Sequence, residues 1–484
     1  MITASIGLTR RLASHRLFTP LSTLAITLLA AIIRIGNLAN PHLLVFDETY
    51  YVKDAFTLGL FGSERNWQDN PNPDFERGLL AGFLETPAYV VHPPFGKWII
   101  WSGMELFGAD SSFGWRIATA VLGVLMVPLV ILIAKRLIGS AFFAALAGLF
   151  MALEGLSITL ARTAILDSNL AFFALLGFYF IVLDTQSWSK RLRRFESNAI
   201  GFRPWLILAG ISLGLATGIK WSGLYFLAGF GLYTFVVDYW QRRRLAMPAV
   251  LAVGQGFVNA LTLLIPAGLA YLATWLGWIL GSDGWGRNAR GSWYESLWAY
   301  HLNAYNFHTG LDSPHPYQAT AFEWLLTLRP TAFFFERYEQ DGSCGLLGDC
   351  TIALTAIPNL VVWFGGLMAV IWMAFSLRRG YDPARIAIVT GFLAGWLPWA
   401  FYLGRTTFQF YAVAYAPYLA IALALAAHHY WRNGITRKLP ARNGVLVLLV
   451  LAVVITSIYF LSIWMALPVP HLIWQLQMLF PFWV

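Results

Sequence analysis

The sequence predicts an all-α polytopic membrane protein of about eleven spans, with its N-terminus cytoplasmic and its C-terminus extracytoplasmic. Three observations carry that reading. The first is composition: of 484 residues, 58% are hydrophobic and only 12% charged, and the mean hydropathy is +0.61, well outside the range of soluble domains. The second is a series of apolar runs close to the roughly 20 residues that a span needs, at about 20–38, 113–134, 141–158, 165–184, 205–220, 222–240, 247–279, 354–375, 384–403, 409–428 and 443–466. The third is the sorting of charge between the connections.

Each element follows from these. The opening "MITASIGLTRRLASHRLFTP" runs into its apolar segment without a small-residue cleavage site, so it reads as an uncleaved first span. The fifth and sixth runs abut at "GIKWSG" and invite merging into one bent helix. Charge keeps them apart. With a cytoplasmic N-terminus, the inner connections hold Arg10, Arg11, Arg16, Lys135, Arg136, Lys190, Arg191, Arg193, Arg194, Arg203, Arg242, Arg243, Arg244, Arg378, Arg379, Arg385, Arg432, Arg437, Lys438 and Arg442. That is 20 of the 33 basic residues, all in short connections, where the positive-inside rule applies. Merging the two spans would move three of these clusters outside. The net charge of +9 is therefore an orientation signal and an attraction to anionic membrane lipid, and no nucleic-acid partner is expected.

The acids sort the other way. Only Asp184, Glu196, Asp238 and Asp382 fall near the cytoplasmic side, leaving 20 of 24 at or beyond the outer face. Most lie in two long outer segments, 39–112 and 280–353, and loops of that length are functional or themselves structured. In the first, "HPPFGKWIIWSGMELFG" has a Pro pair opening an amphipathic run, which suits a helix in the outer interface; its Trp residues equally suit an ordinary aromatic belt. In the second, Cys344 and Cys350 in "DGSCGLLGDC" would face an oxidising compartment and are a candidate disulfide. No CxxC pair, Gly-rich phosphate loop, internal repeat or pair of matched broken helices occurs, which weakens nucleotide-binding and transporter readings.

Charged residues remain at the outer ends of spans, where burial is costly without a partner. Asp47 and Glu48 follow the first span, Arg116 opens the second, Glu154, Arg162 and Asp167 flank the turn between the third and fourth, Lys220 lies between the fifth and sixth, and Arg405 between the ninth and tenth. Each has a bland explanation: a helix cap for Asp47, snorkelling for the cations, an Arg162–Asp167 ion pair. Together they describe a site for an anionic, membrane-resident substrate. If that substrate is a sugar joined through phosphate to a polyprenol, the departing phosphate monoester has a second pKa of about 6 and leaves as an anion. Cations stabilise the developing charge, and one carboxylate takes the proton of the attacking hydroxyl. Direct displacement inverts the anomeric centre.

"FDETYYVKDA", "VHPPFGKW", "WRIATAVLG", "RTAILDSNL", "TGIKWSGL" and "YHLNAYNFHTGLDSPHPYQATAFEWLL" occur in that order from about residue 40 to 330, and together they resemble the protein O-mannosyltransferases. The chain lacks the lumenal β-trefoil of eukaryotic members and has segment 280–353 in its place, so it is closest in kind to the actinobacterial polyprenol-phosphate-mannose protein mannosyltransferases. The resemblance implies a C-type membrane glycosyltransferase (GT-C) fold in a bacterial plasma membrane, a polyprenyl-phosphate-mannose donor, and Ser or Thr acceptors on secreted proteins. It implies that Asp47 is the catalytic base, that Glu48 helps place acceptor or sugar, and that Arg116 holds the donor phosphate, with Lys220, Arg162 and Arg405 as further phosphate candidates. His92, Lys97, Asp167, His308 and His315 are supporting positions.

His301, His308 and His315 recur every seven residues, but "SPHPY" breaks the third away from a shared helix face. No cofactor is expected, and a divalent metal is not supported by the sequence. The rival readings are a C-type transferase acting on a glycan or lipid, a transporter, and a structural scaffold.

Overall fold

The computed structural model describes residues 17–195, 200–338, 344, 349–436 and 441–484. Arg10, Arg11, Arg16, Glu196, Arg437 and Lys438, which enter the charge-sorting argument, lie outside these. The main helices are α1 (Phe18–Ile35), α2 (Glu48–Phe61), α3 (Phe95–Phe107), α4 (Ser112–Ile138), α5 (Ala141–Ala152), α6 (Gly155–Ala161), α7 (Leu166–Phe195), α8 (Trp205–Thr217), α9 (Gly223–Arg244), α10 (Val250–Thr274), α11 (Trp293–Gly310), α12 (Leu360–Ser376), α13 (Pro383–Trp396), α14 (Ala416–Thr436) and α15 (Arg442–Met465).

Every expected apolar segment is largely helical. Among the described residues, seven helices are long and apolar enough to cross a membrane, or eight if the bent pair α5 and α6 is one span. The shortfall from eleven has physical causes. Helix α8 has 13 residues and rises about 20 Å, short of the roughly 30 Å hydrocarbon core. Helix α9 ends in Arg242, Arg243 and Arg244, and the second half of α14 reads "HHYWRN". The segment from 409 starts as a 3-10 turn, Gln409–Ala414, before α14 begins.

The third segment is broken by 58° between α5 and α6, and Glu154 explains the break. Its carboxylate accepts from the backbone N–H groups of Leu156 (3.2 Å) and Ser157 (2.6 Å), capping α6 as an N-cap acid does. The open carbonyl end of α5 is closed by Arg34 of α1, which donates to Met151 and Ala152 O, each at 3.0 Å. Arg162, just past α6, closes the end of α1 in return. These two buried guanidiniums satisfy helix-end carbonyls that would otherwise lack partners.

Close helix contact depends on small residues. Gly210 and Gly214 of α8 are four apart and face α10 so tightly that an added Cβ would meet Leu263 O at 2.3 Å and Ala267 O at 2.2 Å, the small-xxx-small packing of membrane helices.

The all-α expectation needs one correction: both outer segments contain short antiparallel strands. In the first, β1 (Arg65–Trp67) pairs with β2 (Phe83–Pro87). In the second, β3 (Ala332–Tyr338) pairs with β4 (Cys350–Thr355), which also pairs with β5 (Val469–Pro470) after α15. "AFFFERY" and "CTIALT" are rich in aromatic and β-branched residues, which suit a half-buried sheet. The sheet ties the C-terminal tail to this segment, and Arg329 donates to the carbonyl of Val484 at 2.9 Å. Cys344 and Cys350 are joined as a disulfide in the same segment.

Candidate active site

The loop from α1 into α2 is held by its first aromatic. Phe46 sits at φ 49°, a left-handed conformation that costs an L-residue roughly 1–2 kcal/mol, and its ring packs edge-on against His315, Phe333, Phe408 and Phe410. Asp47 follows at the N-cap of α2, yet its side chain makes no capping hydrogen bond. Glu48 does the local tying instead, accepting from Val45 N at 3.0 Å. The cap reading of Asp47 is thereby corrected.

Glu48 and Arg116 are both fully buried. Arg116 meets the carboxylate with Nε and Nη2, each at 2.8 Å, and Glu48 Oε1 also accepts from Ala164 N at 2.7 Å. The remaining Arg116 donors go to the carbonyls of Leu38, Pro41 and Leu43. A guanidinium has five N–H groups, and all five are used. The expectation that Arg116 holds a phosphate, and that Glu48 faces acceptor or sugar, is corrected: the pair clamps α2, α4 and the turn before α7 around Asp47. Arg162 also leaves the phosphate set. Its two terminal nitrogens go to the carbonyls of Ile33, Arg34, Gly36, Asn37 and Met465, which leaves only Nε, buried and without a partner among the described residues. Nor does it pair with Asp167, which takes Lys220 at 2.7 Å.

Asp47 is left facing the charges of Lys220 and Asp167. Burial pushes its carboxyl up to about 6 against the pull of Lys220, with Asp167 reinforcing the rise, while Tyr51 Oη stands 3.4 Å away as a weak donor. Lys220 lies over the ring of Tyr411 at 4.9 Å and, with Asp167, His92, His308, Arg405 and Tyr411, lines a cavity of about 240 Å³. Arg405 spans its far wall. It donates through Nε to His308 O at 2.9 Å and through Nη2 to His308 Nδ1 at 3.3 Å, lies over Trp399 at 5.5 Å, and leaves Nη1 buried without a partner.

Burial favours the neutral form of both histidines. Burial holds His92 well below its ordinary value, helped by Lys220 and His308, and lowers His308 to about 4. His308 Nε2 donates to Val91 O at 3.0 Å, its ring stacks on His92 at 5.1 Å, and His92 Nδ1 is buried without a partner. A guanidinium N–H without a partner among the described residues and an ammonium thus edge one small cavity, a pair of cationic donors suited to an anion, with the His92 ring beside them. A second cavity of about 630 Å³, between α8, α10 and α11, adjoins it through the shared walls Trp221, Leu224 and Tyr305. Its other walls are mostly apolar, including Leu227, Leu264, Ala267 and Gly268.

The other expected positions lie around this centre. Lys97 is buried, ion-paired with Glu64, and donates to the His92 carbonyl at 3.2 Å, so it acts on the shape of the "HPPFGK" turn. Beside it is Asp54, whose carboxyl burial pushes up to about 7 against Lys97, with Glu64 adding to the rise. The sequence reading passed over Asp54 and Glu64; the seven-residue step from Asp47 to Asp54, two turns along α2, was the available signal. His315 lies in the loop after α11, its ring on Phe46 and Phe408. His301 accepts from Tyr271 Oη at 2.5 Å, remote in partners from His308 and His315. Among the described residues, no three His, Cys, Asp or Glu side chains converge to hold a metal.

The profile of the family described as dolichyl-phosphate-mannose-protein mannosyltransferase matches residues 24–278. The chain is 32% identical to the polyprenol-phosphate-mannose–protein mannosyltransferase of Mycolicibacterium smegmatis, over 95% of this chain and 92% of that protein. It is 28% identical to the Corynebacterium glutamicum protein of the same name, over 91% and 88%. Among solved structures it shares the fold of a chain of the S. cerevisiae protein O-mannosyltransferase Pmt1-Pmt2 complex bound to the sugar donor, with a TM-score of 0.75 at 15% identity, covering 96% of this chain and 92% of that one. ArnT from Cupriavidus metallidurans bound to undecaprenyl phosphate is a more distant likeness, with a TM-score of 0.51 at 19% identity over 85% and 60% of the two chains.

Proposed function

The chain belongs to the dolichyl-phosphate-mannose–protein mannosyltransferase family, and from that premise we propose that it transfers mannose from a polyprenyl-phosphate-mannose to Ser or Thr hydroxyls of secreted or membrane proteins, at the outer face of a bacterial plasma membrane. The observation that carries the reading is Asp47: a carboxylate with no capping bond, raised by burial to about 6, which interacts with Lys220 and Asp167, residues that line a cavity together with Arg405 and His92. The acceptor oxygen attacks the anomeric carbon while the bond from that carbon to the phosphate oxygen breaks. Asp47 takes the hydroxyl proton, and the lipid phosphate leaves as a monoester. A base poised near the working pH transfers protons most effectively. Displacement in one step gives inversion.

The leaving phosphate would sit against Arg405 Nη1, with Lys220 and the His92 ring beside it. Fixed donors aimed at developing charge are worth more in a water-poor cavity than in bulk solvent. The polyprenyl chain would occupy the adjoining apolar cavity, whose position keeps the tail in the bilayer while the sugar faces Asp47. Arg116 and Glu48 act by holding the Asp47 loop. In the topology that goes with this reading the chain crosses eleven times, with α8, α9 and α14 among the crossings and the N-terminus inside; the 20 basic residues on the inner connections support it.

The test is transfer from labelled polyprenyl-phosphate-mannose by the purified protein, offered a Ser/Thr peptide or a mannan oligosaccharide. Label on the peptide alone is expected. Label on the glycan alone would replace protein acceptors with glycan acceptors.

A further inference from the structure

Four helices run from the catalytic site to the opposite end of the bundle, and a second charged centre lies there. Asp167 opens α7 and Arg193 nearly closes it; 26 residues of helix separate the two sites by about 40 Å. Two adjoining cavities, of about 500 Å³ and about 290 Å³, lie between the far ends of α4, α7, α9 and α13 and share Ser189, Arg193 and Pro383. Arg136, Lys190 and Arg193 line the first, and Arg193 and Arg244 the second, while among the described residues no carboxylate lines either.

Among the described residues, the acids nearby are already engaged. Asp184 pairs with Arg203, Asp238 with Arg242, and Asp382 with Arg385; Asp382 also caps α13. By contrast, Arg136 donates only to the neutral amide of Gln186, at 3.3 Å, and Arg244 lies over the ring of Tyr381 at 4.4 Å. Lys190 and Arg193 are exposed and make no ion pair among the described residues. Among the described residues, four cations converge with no counter-charge in the lining, and Leu137, Val182, Leu192 and Leu245 are part of the walls.

The geometry points to a seat for the phosphate headgroup of an anionic phospholipid, separate from the donor site. The phosphodiester lies among Arg136, Lys190, Arg193 and Arg244, and the first acyl carbons lie against Leu137 and Leu245, the latter exposed at the cavity rim. Apolar walls joined to cations favour a lipid over a soluble phosphate, and basic pockets between membrane helices take anionic headgroups on this physical ground. The phosphate contacts are charge-assisted.

The experiment is thermal unfolding of the full chain in neutral detergent, titrated with phosphatidylglycerol or with phosphatidylcholine of the same acyl chains, and separately with inorganic phosphate and glycerol phosphate. Wild-type protein is expected to be stabilised by phosphatidylglycerol well beyond phosphatidylcholine. The apparent affinity is expected to fall at least about tenfold in R136Q/K190Q/R193Q and to stay unchanged in R243Q, whose arginine is exposed nearby but outside the lining. If the triple variant does not fold, R193Q alone removes the cation common to both cavities and must weaken the response, and the wild-type comparison of the two lipids still decides. Equal stabilisation by both lipids, or an unchanged response in the charge variants, overturns the proposal. Stabilisation by the soluble phosphates equal to that by phosphatidylglycerol overturns the lipid assignment in favour of a soluble ligand.

Discussion

Arg116→Ala separates two accounts of the same residue. If Arg116 held the donor phosphate, its loss would raise the donor KM and leave the fold alone. The structure requires the reverse. Arg116 and Glu48 are both at 0% exposure, and removing one partner of a buried pair costs about 3–5 kcal/mol because it strands the other charge. Three carbonyls, of Leu38, Pro41 and Leu43, lose their donor as well, and each unsatisfied buried group adds roughly 1 kcal/mol or more. With an unfolding entropy of about 2.1 cal/mol/K per residue over 484 residues, the melting temperature falls by at least about 3 °C. Helices that survive unfolding in detergent lower that entropy and enlarge the shift. The assay pairs detergent thermal unfolding with donor titration of the surviving protein. A wild-type melting temperature with a raised donor KM would refute the clamp and return Arg116 to the phosphate.

Arg405→Ala is expected to do what Arg116→Ala does not. Losing a charge-assisted contact worth about 1.5–3 kcal/mol raises the donor KM about ten- to a hundredfold in initial-rate measurements, with unfolding little changed. Gly268→Leu places a side chain where an added Cβ meets nothing within 4 Å, in the wall of the apolar cavity; it should weaken use of a long-chain donor and spare a donor with a two-isoprene tail, read by comparing kcat/KM for the two. The pH dependence follows from Asp47, whose value is raised from 3.8 to about 6. A base works deprotonated, so kcat/KM should fall as pH drops through about 6 and level off above 7; a profile flat from pH 5 to 8 would exclude Asp47 as the titrating base.

The long helices were legible because burial in lipid demands long apolar runs, and the bias of Arg and Lys supplies the direction proposed for each run. Where the structure departs, the cause is short-range polarity or pairing. Glu154 breaks the third segment by capping its second half, a role its single carboxylate in an apolar run did not announce. The strands "AFFFERY" and "CTIALT" lie in an outer segment that the helical pattern did not reach. At the site, the sequence brought the charged residues to one face, but not to their partners. Arg116, Arg162, Lys220 and Arg405 look alike as isolated cations near helix ends. Only three-dimensional contacts show that Arg116 spends all five donors, and Arg162 both terminal nitrogens, on protein groups, while Arg405 keeps a terminal nitrogen unpaired among the described residues in the cavity wall.

The most direct measurement is Asp47→Asn in a single-turnover assay with labelled polyprenyl-phosphate-mannose and a Ser/Thr peptide, with donor binding measured in parallel. Asn keeps the size of the side chain and removes the base. The account predicts transfer slowed by about 10²–10⁴-fold, at wild-type expression and near-wild-type donor affinity. Transfer at the wild-type rate would contradict it and move the base to another carboxylate of the site.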